Sequence, residues 1–249
     1  MFKEKLQAAS IHFAGSIFVV GCFVLYALFI WYPTPFLSIS GLFSIILILV
    51  SVDLILGPIL TFFLYKKGKR GLKFDLTAVI LVQLAALGYG MYTVYQGHPV
   101  YVAYAADRFT LVTAQDAKTE LAKLPEYQVS TLWKPVLAYA QTPTDAREAQ
   151  QVLFDAVAGK GDIDKLPQYY ADFQTNLTKL LNNKNLPYEK LTANKEYKAV
   201  VTDLLAQTQQ KPEQLVFIPL SGKEKDVVWV WDKVKQVPIS VLDINPWKI

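Results

Sequence analysis

Three long apolar runs open the chain, and a remainder of short, turn-punctuated segments follows them. The runs extend from about Ile11 to Trp31, from about Ile39 to Tyr65 and from about Phe74 to Tyr95. Each is long enough to cross a hydrocarbon core as a helix, which takes about 20 apolar residues. Trp31 and Tyr32 end the first run as aromatic residues do at a headgroup boundary. The run is too long for a signal peptide and no small-residue cleavage pattern follows it, so a retained helix is expected. Lys66, Lys67, Lys69, Arg70 and Lys73 crowd the connection between the second and third runs, and Lys3 and Lys5 precede the first. The connection from Tyr32 to Ser38 carries no basic residue. The positive-inside rule then predicts a cytoplasmic N-terminus and basic loop, with everything after the third run on the opposite face.

Beyond His98 the period changes. Val100 to Tyr104 and Phe109 to Thr113 predict short strands, and Asp116 to Leu124 predicts a short helix stopped by Pro125. Val129 to Tyr139 reads as extended, confined by Pro135 to an edge or a bend. A helix is predicted to open at Thr142-Pro143-Thr144-Asp145 with a Thr cap and Pro in the first turn. Ala146, Ala149, Leu153 and Ala156 would form its buried stripe, and Gly159 its end. Two more helical regions follow. Leu166 to Leu181 carries Tyr170, Phe173, Leu177 and Leu180; Lys195 to Gln207 carries Tyr197, Val200, Val201 and Leu204. Gln214 to Leu220, Asp226 to Asp232 and Val237 to Ile244 are β-rich runs that predict an antiparallel meander. The expected architecture is an α+β membrane protein: a membrane domain over residues 1–97 with three helices, then an α+β domain over residues 98–249 with a C-terminal antiparallel meander.

Composition sharpens the division. The chain has 249 residues, 53% of them hydrophobic and 18% charged, more apolar than an ordinary soluble domain. Seven of its 25 basic residues and three of its 21 acids precede His98. The C-terminal domain is thus formally neutral, and the net +4 belongs to the membrane face, which argues against nucleic acid as a partner. Cys22 is the single cysteine, and His12 and His98 are the two histidines, so no metal-binding spacing exists. No nucleophile elbow, P-loop or dinucleotide fingerprint occurs, so neither catalysis nor a cofactor is expected. His98, at the junction of the two parts, reads as a surface or interfacial residue.

The acid Asp53 is the exception inside the apolar runs. A charge at mid-bilayer costs about 2.5–3.5 kcal/mol, so it should face protein and find a partner. Gly57 and Thr61 continue its face at helical spacing, and Pro58 interrupts the hydrogen-bond ladder there. Gln83 on the third run sits at comparable depth and is the expected internal partner. Ala86 and Gly90 form a small-xxx-small pair suited to close helix approach. Two readings stand: these residues hold the three helices together, or they receive a helix from another membrane protein. Ion transport would need more ionisable groups along the spans.

The stretches Asp53–Leu76, DLILGPILTFFLYKKGKRGLKFDL, and Val82–Val102, VQLAALGYGMYTVYQGHPVYV, carry a family resemblance, as do Ala106-Asp107-Arg108-Phe109 and the terminal VLDINPW (Val241–Trp247). Together they resemble the TfpX/TfpZ type IV pilin accessory proteins. That resemblance implies a Gram-negative inner membrane, a periplasmic C-terminal domain and a non-enzymatic, chaperone-like role in stabilising a major pilin or promoting its assembly into the pilus. The partners so implied are the pilin, the surrounding membrane lipids and the pilus assembly platform. On this basis Asp53, Gly57, Pro58, Gln83, Ala86 and Gly90 are candidates to meet the pilin helix. Trp229 and Trp247 are candidates to meet its periplasmic head. Two alternatives remain open: a membrane-anchored component of a pilin-glycosylating complex, and a periplasmic ligand sensor.

Overall fold

A computed structural model describes residues 2–183 and 185–249 and divides into two compact units, the first ending at His98 and the second beginning at Pro99. In the first unit, α1 (Phe2–Trp31), α2 (Leu42–Leu64) and α3 (Leu72–Gly97) are each long and apolar enough to cross a membrane. Helix α1 begins nine residues before its apolar run, because hydropathy marks the lipid-facing part of a helix and not the polar turns that extend it. A single turn, Phe36–Ile39, precedes α2, and Gly41 enters α2 at φ +71°. Gly71, at φ +87°, does the same for α3 after the basic loop, a backbone region that residues with a Cβ rarely occupy.

Helix α2 continues through Gly57-Pro58, and its hydrogen-bond ladder is locally irregular there, as expected. The chain absorbs the proline with a π turn over Val52–Leu56, closed by Gly57 N–H donating to the Val52 carbonyl. Pro58 then occupies the start of the following α segment, where a missing N–H is tolerated. Asp53 lies inside that π turn. Both α1 and α3 pack against α2, and the outer helices meet at the Trp31 end. There His98 is fully buried: its ring stacks on Trp31 at 4.8 Å, with Tyr95 at 5.2 Å, and Nδ1 donates to the Tyr95 carbonyl. Of the two readings of His98, surface or interfacial, the surface one is therefore corrected. The Tyr32 hydroxyl donates to the Val94 carbonyl at 2.8 Å, a further tie between α1 and α3.

The second unit is built on one mixed seven-stranded sheet. Its strands are β1 (Pro99–Ala105), β2 (Arg108–Thr113), β3 (Val136–Ala140), β4 (Tyr170–Ala171), β5 (Leu215–Ser221), β6 (Asp226–Asp232) and β7 (Val237–Leu242), in the order β4-β3-β1-β2-β5-β6-β7. The predicted meander is present as β5-β6-β7, antiparallel throughout. A parallel pairing of β2 with β5, Phe109 opposite Leu220, joins it to the N-terminal hairpin. Strand β3 pairs in parallel with β1. Helices α4 (Ala146–Val157), α5 (Phe173–Leu181), α6 (Tyr188–Ala193) and α7 (Lys195–Thr208) fill the connections. Buried aromatics knit the centre: Phe109 stacks on Trp231 at 5.8 Å and meets Trp229 edge-on at 5.0 Å.

Several local expectations shift. The segment from Asp116 to Leu124 is no α-helix but turns around a 3₁₀ segment, Thr119–Leu121, too short for a helix to sustain itself without a packed face. Only Val136–Ala140 of the expected extended segment is strand. Helix α4 is capped by Asp145, whose carboxylate accepts from Glu148 N–H at 2.9 Å, and not by Thr142. Its buried residue is Val152, while Leu153 of the expected stripe is exposed. Gly159, at φ +75°, ends it as expected, its N–H donating to the Ala156 carbonyl at 3.0 Å. Tyr170, expected on a helix, lies in β4, and α6 carries no sequence signal that marked it in advance.

Candidate functional site

The residues singled out in the apolar runs converge. Asp53, Gly57 and Thr61 lie on one buried face of α2, as their spacing requires. From α3, Gln83 comes down onto Gly57: a Cβ added at Gly57 would lie 2.0 Å from Gln83 Nε2. Glycine is thus required for the amide to reach this depth between the helices. Asp53 is 4% exposed and Gln83 8%. They do not form the expected hydrogen bond. Asp53 Oδ2, Gln83 Oε1 and Gln83 Nε2 are buried without a hydrogen-bond partner among the described residues.

These groups form the floor of a groove of about 430 Å³ between the Ala8–Val20 part of α1 and the Leu76–Leu87 part of α3. Ile11, Val19, Ile80 and Leu84 give it apolar walls. On the same lining, His12 Nδ1 and Thr61 Oγ1 share a hydrogen bond of 2.7 Å, which ties α1 to α2. The helices meet at the Trp31 end and leave the groove toward the basic loop. Its chemistry is that of a lipid-like wall over a strip of unpaired polar atoms.

The small-residue pair is divided. Gly90 serves the bundle itself, since an added Cβ would lie 2.8 Å from Leu49 Cδ1 of α2. Ala86 is exposed on α3. Pro58 lies on the α2 segment that follows the π turn.

The two tryptophans of the second unit part company as well. Trp229 is 4% exposed and packed in the aromatic core, so its candidacy as a contact residue is corrected: β6 is buried on both faces. Trp247 is 45% exposed. Its indole N–H donates to Asp226 Oδ2 at 2.6 Å, and the Arg108 guanidinium lies 4.4 Å from its ring centre. This clamp fastens the C-terminal segment to the start of β2 and to the start of β6. Sequence reasoning missed it because Arg108, Asp226 and Trp247 are far apart in the chain. In the interior, burial beside β1 and β2 holds the Asp164 carboxyl above the usual carboxylate range. Asp232 is held below it, chiefly by the Lys235 N–H and with help from Gln210 and the Val234 N–H. Among the described residues, no group of three or more His, Cys, Asp or Glu side chains is placed to hold a metal ion.

Fold and groove together define a class: a bundle of three helices of membrane-crossing length, with an unpaired polar floor open on one side, followed by an α+β domain on a mixed sheet. The family model described as Fimbrial assembly protein FimB matches residues 1–41. The fimbrial assembly protein of serogroups C1 and C2 from Dichelobacter nodosus is 35% identical over 119 residues, covering 47% of this chain and 88% of that protein. The fimbrial assembly protein of serogroup I from the same organism is 29% identical over 248 residues, covering 97% of this chain and 95% of its own length. No solved structure matches. The chain belongs to the fimbrial assembly protein family.

Proposed function

We propose that this protein is a non-catalytic assembly factor of the type IV pilus, an accessory protein of the TfpX/TfpZ kind. It would hold a major pilin in the inner membrane and favour its passage into the growing fibre. In this reading the N-terminus and basic loop face the cytoplasm and the α+β domain faces the periplasm. The pilin helix is met by the groove, and the pilin head by the second unit. Contact with lipids and with the assembly platform follows from the same location. The observation that carries the reading is the groove: three unpaired buried polar atoms lie beneath apolar walls, an arrangement suited to another helix and ill suited to lipid. The names of the relatives point the same way. Two modest contacts in one molecule, one in the membrane and one outside it, gain effective concentration without either being tight.

The test places a photocrosslinking amino acid at Ile80, on the groove wall, in cells that make the cognate pilin. An adduct with pilin, lost together with piliation when the groove is filled, is the expected result. Absence of any pilin adduct from a well-expressed protein removes the reading. Normal pilin level and assembly with lost pilin modification would instead favour a component of a glycosylating complex.

A further inference from the structure

We infer that the groove is matched to an apolar transmembrane helix that carries one hydrogen-bond donor, amide or ammonium, level with Asp53. The inference deepens the reading above by stating the chemistry of the occupant, and it rests on that reading for the identity of the partner. Asp53 and Gln83 are both more than nine-tenths buried, both line the groove, and neither satisfies the other. A buried acceptor left unmade is costly, and the cost is removed when an incoming group donates to it.

The other ionisable group on the lining is His12, and its Nδ1 is engaged with Thr61. Ser16 also lines the groove, but among the described residues the buried lining atoms that lack a partner are Asp53 Oδ2 and the two amide atoms of Gln83. An acyl chain would fit the walls but leave all three polar atoms as they are. An acidic side chain would set a second acid beside the buried Asp53. A donor on an otherwise apolar helix reaches the acceptors Asp53 Oδ2 and Gln83 Oε1, and an amide can accept from Gln83 Nε2 as well, while its neighbours pack against Ile11, Val19, Ile80 and Leu84.

Two glycines make the inference testable without disturbing the bundle. An added Cβ meets nothing within 4 Å at Gly15, which lines the groove, and nothing within 4 Å at Gly21, which does not. A Gly15→Phe substitution fills the groove, and Gly21→Phe is its control on the same helix. The full chain is reconstituted in phosphatidylethanolamine–phosphatidylglycerol vesicles with synthetic single-span Leu/Ala helices bearing Lys, Asn, Asp or Leu at mid-length. Association is read by energy transfer.

The Lys and Asn helices are expected to bind about tenfold more tightly than the Leu and Asp helices. Asp53→Leu should abolish that preference, Gly15→Phe should abolish binding of every helix, and Gly21→Phe should change neither. Gln83→Leu supplies the same comparison should the Asp53 variant fail to insert, with the preference reduced. Equal binding of the Leu and Asn helices, a preference that survives Asp53→Leu, or one left undiminished by Gln83→Leu, overturns the inference. No pilin is present in this assay. Its failure therefore leaves the cellular crosslink to stand or fall separately, and a missing pilin adduct leaves the donor preference intact.

Discussion

Replacing Gly57 by alanine tests the packing on which the groove floor depends. The new methyl carbon would lie 2.0 Å from Gln83 Nε2, 2.8 Å from Cδ and 2.9 Å from Oε1, all inside van der Waals contact. Either the amide swings out or α2 and α3 separate. Overpacking of this kind costs about 1–3 kcal/mol. Against it stands the helix-propensity gain of Gly→Ala, about 0.5–1 kcal/mol. A net loss of about 1 kcal/mol is expected. Truncating the obstacle should reverse the sign: in Gly57→Ala with Gln83→Ala the methyl has room, and the double variant should show a coupling of about 1–2 kcal/mol. The control is Gly88→Ala on α3, where an added Cβ meets nothing within 4 Å and a gain of a few tenths to about 1 kcal/mol is expected. Stability would be read by titrating the micelle-bound protein with a denaturing detergent and following helix content. Additivity of Gly57→Ala and Gln83→Ala, or a Gly57→Ala variant as stable as Gly88→Ala, would refute the close approach.

Further expectations concern the second unit and the orientation. Trp231→Ala removes a fully buried ring packed on Phe109, Phe173 and Trp229 and should cost about 3–5 kcal/mol in thermal or urea unfolding. Arg108→Ala removes the cation from the partly exposed Trp247 ring, a contact worth about 0.5–1 kcal/mol. Amide exchange should quicken in residues 245–249 while global stability stays nearly unchanged; protection left intact there would contradict the clamp. The two carboxyls should act oppositely with pH. Asp232, depressed when folded, contributes stability above its unfolded pKa that is lost as pH falls through the folded one, so Asp232→Asn should flatten the acid limb. Asp164, raised when folded, costs stability while ionised; Asp164→Asn should stabilise near neutral pH, with the gain vanishing as acid protonates the wild-type group. Stability curves for the three proteins across pH check both signs. A phosphatase reporter fused after Ile249 should be active on the periplasmic side, and a cytosolic readout would overturn the proposed orientation.

The chain's own order of residues determined the three long helices, because an unbroken run of apolar side chains admits few alternatives, and it placed Asp53, Gly57 and Thr61 on one face through simple helical spacing. It also determined the C-terminal meander, whose strands are adjacent in sequence and paired by short turns. What it left open depended on contacts between distant residues. The β2–β5 pairing, which merges hairpin and meander into one sheet, rests on Phe109 and Leu220 meeting across more than half the domain. Burial of Trp229 on that sheet, the Arg108–Trp247–Asp226 clamp and the seating of His98 against Trp31 are decided in the same way. So is the groove. Local sequence can show that a carboxylate lies inside a helix. Only the approach of Gln83 to Gly57, and the space left between α1 and α3, makes that carboxylate an unpaired floor and not an interhelical bond.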